Sequence, residues 1–265
     1  MPNTRPARLL IVVLYRLSVR ESPTLQSLAR CTGELDAGDI VVVWDNSPES
    51  QDRKDLAELG AALPAALHYR HTPENLSLAL IYNRAIAAHP EASFVFLLDQ
   101  DSGFGEEYFR EIDTAAAAHP DINLFMPLIR HGRQVVTPGH FHYFKGKYWR
   151  TAQYGRVNAR GNTAITSGMC IRMPYLQRLG GFDERLRLYG IDTNFMIRYS
   201  RDNAFFFVIS APFSHHLSDF AQEDRVIKKA RFDDFRRASM INAKLFPLPV
   251  QVLTRLFLWY KTLRG

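Results

Sequence analysis

The sequence has little cysteine and lacks the long apolar runs of membrane-spanning chains. Its 265 residues include two cysteines, Cys31 and Cys170, which lie far apart and match no metal-ligand spacing. We therefore expect two reduced thiols in the core. No N-terminal signal peptide is visible, and no stretch reaches the roughly 18 to 20 apolar residues that span a bilayer. These absences predict a cytoplasmic protein, either soluble or peripheral at the inner face of the cytoplasmic membrane.

Acidic residues are missing from two long parts of the chain. None occurs between Asp121 and Asp183, a span with nine lysines and arginines, and none follows Asp234. The formal net charge is +6. This distribution indicates an anionic partner, which could be a phosphate, an anionic membrane surface or a nucleic acid. The alternative is a basic face that is merely solvated. Because no recognised nucleic-acid-binding motif is present, we expect no nucleic-acid partner.

The apolar content, 46% of residues, is sufficient for a sizeable core. Apolar runs predict strands at residues 9–15, 39–44, 66–70, 93–98, 165–172 and 204–209. Helical patterns cover residues 22–32, 76–88, 108–118, 174–179 and 192–200, and residues 135–149 indicate a hairpin or loops. The alternation of strand and helix predicts a mainly parallel sheet with helices on both faces.

Carboxylates follow two of the buried strands. Asp99 and Asp101 stand two residues apart after the run SFVFLL, and Asp45 ends the run DIVVVW. Ligands of such sheets bind beyond the carboxyl ends of the strands. The Asp-x-Asp pair could share one Mg²⁺ or Mn²⁺ together with diphosphate oxygens, or it could be a solvated turn in which Asp99 caps a helix. Asp45 could accept hydrogen bonds from a nucleotide or form an Asx-turn.

These pieces, in this order, resemble the family 2 glycosyltransferases, which have the GT-A nucleotide-sugar-binding fold. Within that family the chain is similar to the bacterial rhamnosyltransferases over roughly residues 9–219. The matching segments are LLIVVLY, VVVWDNSP, ENLSLALIYNRAI, FVFLLDQDSGF, ITSGMCIR, LGGFDERLRLYGIDTNFMIR and HHLSD. The segment LDQDS is the most specific of them, followed by LGGFDE with its downstream Ile-Asp and arginine.

The resemblance implies roles for individual residues. On the donor side, the nucleotide base would contact Tyr15 and Asp45. The amides that shape the donor pocket would be Asn75 and Asn83. The ribose, the diphosphate and the metal would contact the stretch Asp99, Gln100 and Asp101. Arg198 matches a family arginine that has either a donor-binding or a structural role.

Two further residues are implied in the chemistry itself. Asp192 falls at the position of the catalytic base, although as a lone residue such an aspartate is more often a helix cap. His215 matches the histidine of an H-x-L-G-D motif and is expected to be a further metal or diphosphate ligand. The alternative for His215 and His216 is an ordinary surface or core pair.

The resemblance predicts an inverting, metal-dependent glycosyltransferase that uses Mn²⁺ or Mg²⁺. The expected donor is dTDP-L-rhamnose, and the expected acceptor is an oligosaccharide or lipid-linked saccharide of bacterial surface polysaccharide assembly. The sequence departs from the family pattern at Arg16, Ser77, Ile81, Asn194 and Ser218. These departures keep a UDP-hexose as the alternative donor. A non-catalytic nucleotide- or carbohydrate-binding relative is the alternative from another class.

The expected architecture is α/β, with a GT-A catalytic domain at residues 1–223 and a C-terminal helical tail at residues 224–265. The donor-binding half covers about residues 1–104 and the acceptor-binding half about residues 105–223. One face of the tail combines Leu253, Leu256, Phe257 and Tyr260 with neighbouring basic residues. Such a helix could lie in a membrane interface, or it could pack on its own domain.

Overall fold

The computed structural model describes residues 5–142, 145–215 and 225–264. In these residues an eight-stranded sheet forms the centre of the molecule. The strands are β1 (Arg8–Leu14), β2 (Ile40–Asp45), β3 (Ala66–His71), β4 (Phe94–Asp99), β5 (Ser102–Phe104), β6 (Leu124–Pro127), β7 (Ile129–His131), β8 (Gln134–Thr137), β9 (Gly139–His142), β10 (Lys145–Tyr148), β11 (Gly155–Asn158), β12 (Asn162–Thr163), β13 (Met169–Arg172), β14 (Phe205–Ile209) and β15 (Phe213–His215). The helices are α1 (Pro23–Arg30), α2 (Arg53–Ala62), α3 (Leu78–Ala88), α4 (Glu106–Ala118), α5 (Met173–Leu179), α6 (Ile191–Asp202), α7 (Arg225–Ala243) and α8 (Leu248–Arg264).

The central sheet has the strand order β11-β14-β6-β13-β4-β1-β2-β3. Its β3, β2, β1 and β4 run parallel, as do β14 and β6. Strand β13 is antiparallel to both of its neighbours, and β11 is antiparallel to β14. The prediction of a mainly parallel sheet flanked by helices is confirmed.

Apolar packing covers both faces of this sheet. In β1, Leu9 and Ile11 belong to one buried cluster, whereas Leu10 and Val12 belong to the other. The first cluster contains side chains of α3, α5 and α6, and the second contains side chains of α1 and α4. This arrangement follows from the sequence, because successive strand residues point to opposite faces and an unbroken apolar run therefore supplies two cores.

Most predicted elements agree with the structure to within four residues, but helix α2 and six short strands were not predicted, namely β5, β6, β7, β11, β12 and β15. Helix α2 begins after Asp52, whose carboxylate accepts hydrogen bonds from the backbone N–H groups of Lys54 and Asp55. It buries only Leu59, so its apolar periodicity is weak. Strands β6 and β11 are four residues long and lie in sequence with little alternation, so the pattern did not reveal them.

Some positive charges in the acid-free middle of the chain are engaged in contacts within the protein. The Arg172 guanidinium donates to the backbone carbonyls of Ala116 and Ile122, at 2.7 and 2.8 Å. Arg156 forms an ion pair with Asp121 at 2.9 Å. The charge of Arg172 therefore holds the fold, that of Arg156 is paired at the surface, and the anionic partner stays a prediction.

The tail helices pack against the segment that precedes α6. Asp234 of α7 accepts hydrogen bonds from the backbone N–H groups of Leu188 and Tyr189. Asn242 donates to the carbonyl of Gly190 at 2.9 Å and accepts a hydrogen bond from Asn194. Among the described residues, no helix is both long and apolar enough to cross a membrane. The predicted start of the tail, at residue 224, lies outside the described residues.

Candidate active site

The carboxyl ends of three neighbouring strands meet at one edge of the sheet. Strand β1 lies between β2 and β4, with Leu14 beside Asp45 and Val13 beside Asp99. Tyr15 directly follows β1, the strand that lies between the strand ending in Asp45 and the strand ending in Asp99. The structure therefore brings the predicted nucleotide-binding residues to the same edge, as the sequence pattern indicated.

Gln100 fixes the backbone at the end of β1. Its Oε1 accepts a hydrogen bond from the Tyr15 N–H at 2.8 Å, and its Nε2 donates to the Tyr15 carbonyl. The Tyr15 side chain is 39% exposed, and the Arg16 guanidinium lies 5.2 Å from the centre of its ring. Gln100 thus holds an exposed aromatic ring at the sheet edge. The base contact of Tyr15 stays a prediction.

Asp45 is fully buried and well supplied with hydrogen-bond donors. Its Oδ2 accepts from the Tyr69 hydroxyl at 2.8 Å and from Gln51 Nε2 at 3.1 Å, while Oδ1 accepts from the backbone N–H of Ser47 at 3.0 Å. The Ser47 bond is the Asx-turn contact that Asp-Asn-Ser-Pro predicts. The sequence had not indicated Gln51 or Tyr69. These contacts orient the carboxylate, and its predicted role in binding the nucleotide stays a prediction.

Asp99, Asp101 and His215 form a compact cluster. One ligand atom of each lies within 4.8 Å of the other two. Strand β15 places His215 opposite Ser102 of β5, and His215 Nδ1 lies 3.2 Å from Asp101 Oδ1. The predicted metal residues are therefore brought together by strands far apart in sequence. Residues 216–219, which complete the HHLSD segment, lie outside the described residues.

The electrostatics of the cluster favour a cation. Burial, together with the charges of Asp101 and Asp192, raises the pKa of Asp99 to about 6, although His215 opposes this shift. Burial opposes protonation of His215, but its hydrogen bond to Asp101 and the charge of Asp99 raise its pKa above the ordinary value. The two carboxylates suit Mn²⁺ or Mg²⁺, and the imidazole is a better ligand for Mn²⁺ than for the harder Mg²⁺. These residues fit a divalent cation.

Two buried serines support this cluster, and the sequence had not indicated their role. The hydroxyls of Ser102 and Ser167 lie 2.9 Å apart, and each is 3.4 Å from His215 Nδ1. A hydrogen bond from Ser167 also lowers the pKa of Asp99, against the effect of burial. The available signal for Ser102 was its position directly after the Asp-x-Asp pair.

Asp192 lies in the first turn of α6, after Gly190 in a left-handed conformation with φ of 75°. Its Oδ1 accepts a hydrogen bond from the Thr193 N–H at 2.6 Å. Burial raises the pKa of this carboxyl. The charge of Asp192 in turn raises the pKa of Asp99 and of the buried Tyr82, so it acts on the same site as the metal cluster.

A cavity of about 200 Å³ adjoins Asp192. Its walls come from the start of α6 and from the tail helices, with aromatic and polar side chains. They include Tyr189, Thr193, Phe235, Asn242 and Phe246. The predicted base therefore faces a space that the tail helps to enclose.

Three of the predicted donor-side residues form hydrogen bonds that fix neighbouring loops, namely Asn75, Asn83 and Arg198. Asn75 adopts φ of 51° and accepts a hydrogen bond from Asn46 at 3.0 Å. Asn83 donates to the Phe182 carbonyl at 2.9 Å and accepts from the Phe182 N–H at 2.8 Å. Arg198 donates to the carbonyls of Leu179 and Gly181. For Arg198 these bonds favour the structural alternative; the donor-pocket roles of Asn75 and Asn83 stay predictions.

Replacing Asn83 with Ala is expected to lower the free energy of unfolding by about 2 to 4 kcal/mol. The change removes hydrogen bonds to both backbone groups of Phe182 and to Glu184. Urea denaturation measures the loss. The matched control is Arg84→Ala, an exposed position on the same helix, which should change stability by less than about 0.5 kcal/mol. Equal stability of the two variants would show that Asn83 does not hold this turn.

Comparison with known proteins supports the fold. No protein-family model matches the chain, and no curated protein matches it. Residues 1–349 of S. aureus TarS, solved with UDP-GlcNAc, match with a TM-score of 0.62 and 16% identity over 95% of this chain and 70% of that one. A longer TarS chain gives a TM-score of 0.62 and 15% identity over 93% of this chain, which spans 50% of its length.

A second protein gives the same result. Mannosyltransferase PcManGT from Pyrobaculum calidifontis, solved with GDP-Man and Mn²⁺, matches with a TM-score of 0.57 and 16% identity over 97% of this chain and 70% of that one. At such identities the likeness shows the fold alone. The chain has the GT-A fold that the sequence predicted.

Proposed function

We propose that this chain is an inverting, metal-dependent glycosyltransferase that moves a sugar from a nucleotide diphosphate onto a saccharide acceptor. The observation that carries this proposal is the convergence of Asp99, Asp101 and His215 at one sheet edge, with Asp192 near enough to raise the pKa of Asp99. The GT-A fold supports it, because similar structures hold UDP-GlcNAc or GDP-Man with Mn²⁺.

On the donor side, the end of β1 and the carboxylates form the binding site. Tyr15 offers an exposed ring to the base, and Asp45 offers an oriented carboxylate beside it. Asp99, Asp101 and His215 would hold the divalent cation. When bound, such a cation neutralises the charge that develops on the nucleotide diphosphate as it leaves.

On the acceptor side, Asp192 is the proposed general base. Inversion by a single displacement requires a group that accepts the proton of the attacking acceptor hydroxyl. The raised pKa of Asp192 makes its carboxylate a stronger base than an exposed aspartate. The cavity beside it is lined by aromatic and hydrogen-bonding side chains, the kinds of side chain that bind a saccharide.

We assign the donor-binding half to about residues 1–104, the acceptor-binding half to about residues 105–223 and the tail to residues 224–265. The hydrogen bonds of Asp234 and Asn242 to the segment before α6 indicate that the tail also supports the acceptor half. The proposed acceptor is an oligosaccharide or a lipid-linked saccharide of bacterial surface polysaccharide assembly, met in the cytoplasm at the inner membrane face.

The proposed donor is dTDP-L-rhamnose, which rests on the LDQDS and HHLSD segments. In a thermal-shift screen with Mn²⁺, this donor is expected to raise the melting temperature more than UDP-glucose, UDP-GlcNAc or GDP-mannose, because the tightest ligand stabilises the folded state most. A larger shift with a UDP sugar would identify the alternative donor. Stabilisation by nucleotide sugars without release of nucleotide, on a panel of saccharide acceptors, would favour the non-catalytic relative.

A further inference from the structure

Helix α8 presents its apolar side chains outward. Leu248 is 70% exposed, Leu256 56% and Trp259 65%, and Val252 and Leu253 are each 45% exposed. Spacings of three and four residues place these side chains on one face, along about 16 Å of helix. The opposite face is packed against the molecule through the buried Thr254 and Leu258. An exposed apolar stripe of this size marks an interaction surface.

The stripe agrees in part with the face predicted from the sequence. Leu253 and Leu256 are exposed as expected, whereas Phe257 is half-buried and lies under Lys261, 6.0 Å from its Nζ. The alternative that the tail packs on its own domain therefore holds for one side of α8. The other side remains accessible to a partner.

Positive charge flanks the stripe and acidic residues are missing from it. On a helical wheel Arg255 lies at one border of the apolar stripe, and Lys261 lies beyond the other border, on the far side of Phe257. Both side chains are exposed, and α8 contains no acidic residue. An apolar face bordered by cations matches a bilayer surface that contains anionic lipids. It fits a second copy of the chain poorly, since the positive borders of two copies would repel each other.

A groove beside the stripe carries three arginines. It lies between α7 and α8, has a volume of about 450 Å³ and is lined by Arg236, Arg237, Arg255 and Trp259. Asp233 also lines the groove, 3.9 Å from Arg236, and offsets part of the charge. The remaining charge favours the phosphate of an anionic headgroup, with Trp259 at the boundary of apolar and polar layers.

We propose that the outward face of α8, with the arginine groove beside it, is a docking surface for an anionic phospholipid bilayer. The helix lies in the plane of the interface, with its apolar stripe below the headgroups. The inference is independent of the proposed transfer reaction, because it rests on exposure and charge of the tail alone. It would hold the acceptor half, to which α7 is hydrogen-bonded, close to lipid-linked molecules.

The test is flotation of the full chain with vesicles of equimolar phosphatidylcholine and phosphatidylglycerol. The double variant Leu256→Gln/Trp259→Gln is expected to lower the partition coefficient by about tenfold or more, because it removes two apolar side chains that are each more than half exposed in the stripe. The variant Arg255→Gln/Lys261→Gln is expected to lower it by about fivefold per charge at low salt. On pure phosphatidylcholine the second variant should bind like the unchanged chain.

The matched control is Tyr148→Gln/Tyr154→Gln, which removes two exposed aromatic rings, 53% and 51% exposed, from another part of the surface. It should float like the unchanged chain. Melting temperatures verify that all variants fold, which is expected because the changed side chains are exposed. Flotation of Leu256→Gln/Trp259→Gln at the control level would overturn the proposal. So would self-association without vesicles that this variant abolishes, since the stripe would then bind a second copy.

Discussion

Replacing Asp192 with Asn is expected to lower turnover by roughly 10² to 10⁴ and to leave donor binding unchanged. The amide cannot accept the proton of the acceptor hydroxyl, but its oxygen can still accept the hydrogen bond that Asp192 Oδ1 receives from the Thr193 N–H. The start of α6 should therefore keep its shape. Single-turnover rates with saturating donor, together with donor affinity from calorimetry, separate the loss of chemistry from a loss of binding.

The pH dependence gives a second measurement of the same prediction. The base must be ionised to accept a proton, and burial raises the pKa of Asp192. Turnover should therefore fall with decreasing pH at a higher pH than an ordinary aspartate would give. The control is Asp202→Asn, an exposed acid at the other end of α6, which should leave both rate and profile unchanged. If Asp192→Asn turns over at the control rate, Asp192 is only an acidic residue in the first turn of α6, whose N-cap is Gly190, and another group is the base.

The fold could be predicted largely because its centre is built from unbroken apolar runs. A run such as LLIVVLY is typical of a strand that is buried on both faces inside a sheet covered by helices. Strand β1 is such an interior strand, between β4 and β2. Helix α2 could not be found in this way, since it buries a single residue, Leu59. The antiparallel insertion of β13 between β4 and β6 depends on long-range pairing that local periodicity does not encode.

For the candidate site, sequence reasoning was strongest where short motifs end strands. Asp45, Asp99 and Asp101 follow apolar runs, so their common edge could be expected before the structure was known. The contacts of Asp45 with Gln51 and Tyr69 arise from a loop and an edge strand that carry no such signal. The hydrogen bonds of Arg198 to backbone carbonyls likewise depend on how α5 ends beside α6.

Removing the divalent cation with excess EDTA is expected to abolish transfer, and Asp101→Asn should lower turnover by about 10²- to 10³-fold. The carboxylate of Asp101 is one of three groups whose ligand atoms lie within 4.8 Å of one another, and an amide oxygen is a weaker ligand for a hard cation. Released nucleotide measures the rate, with Mn²⁺ and Mg²⁺ each added back after chelation.

A measurement without turnover distinguishes a lost metal site from a damaged fold. Mn²⁺ should raise the melting temperature of the unchanged chain, because a ligand of the folded state stabilises it by mass action, and should raise that of Asp101→Asn much less. Asp121→Asn is the matched control, since Asp121 is an exposed acid that pairs with Arg156 of the outer strand β11 and is not one of the three cluster residues. Its metal response should equal that of the unchanged chain. Full activity in excess EDTA would remove the cation from the proposed reaction, and the Asp101–His215 pair would then be a structural ion pair at the sheet edge.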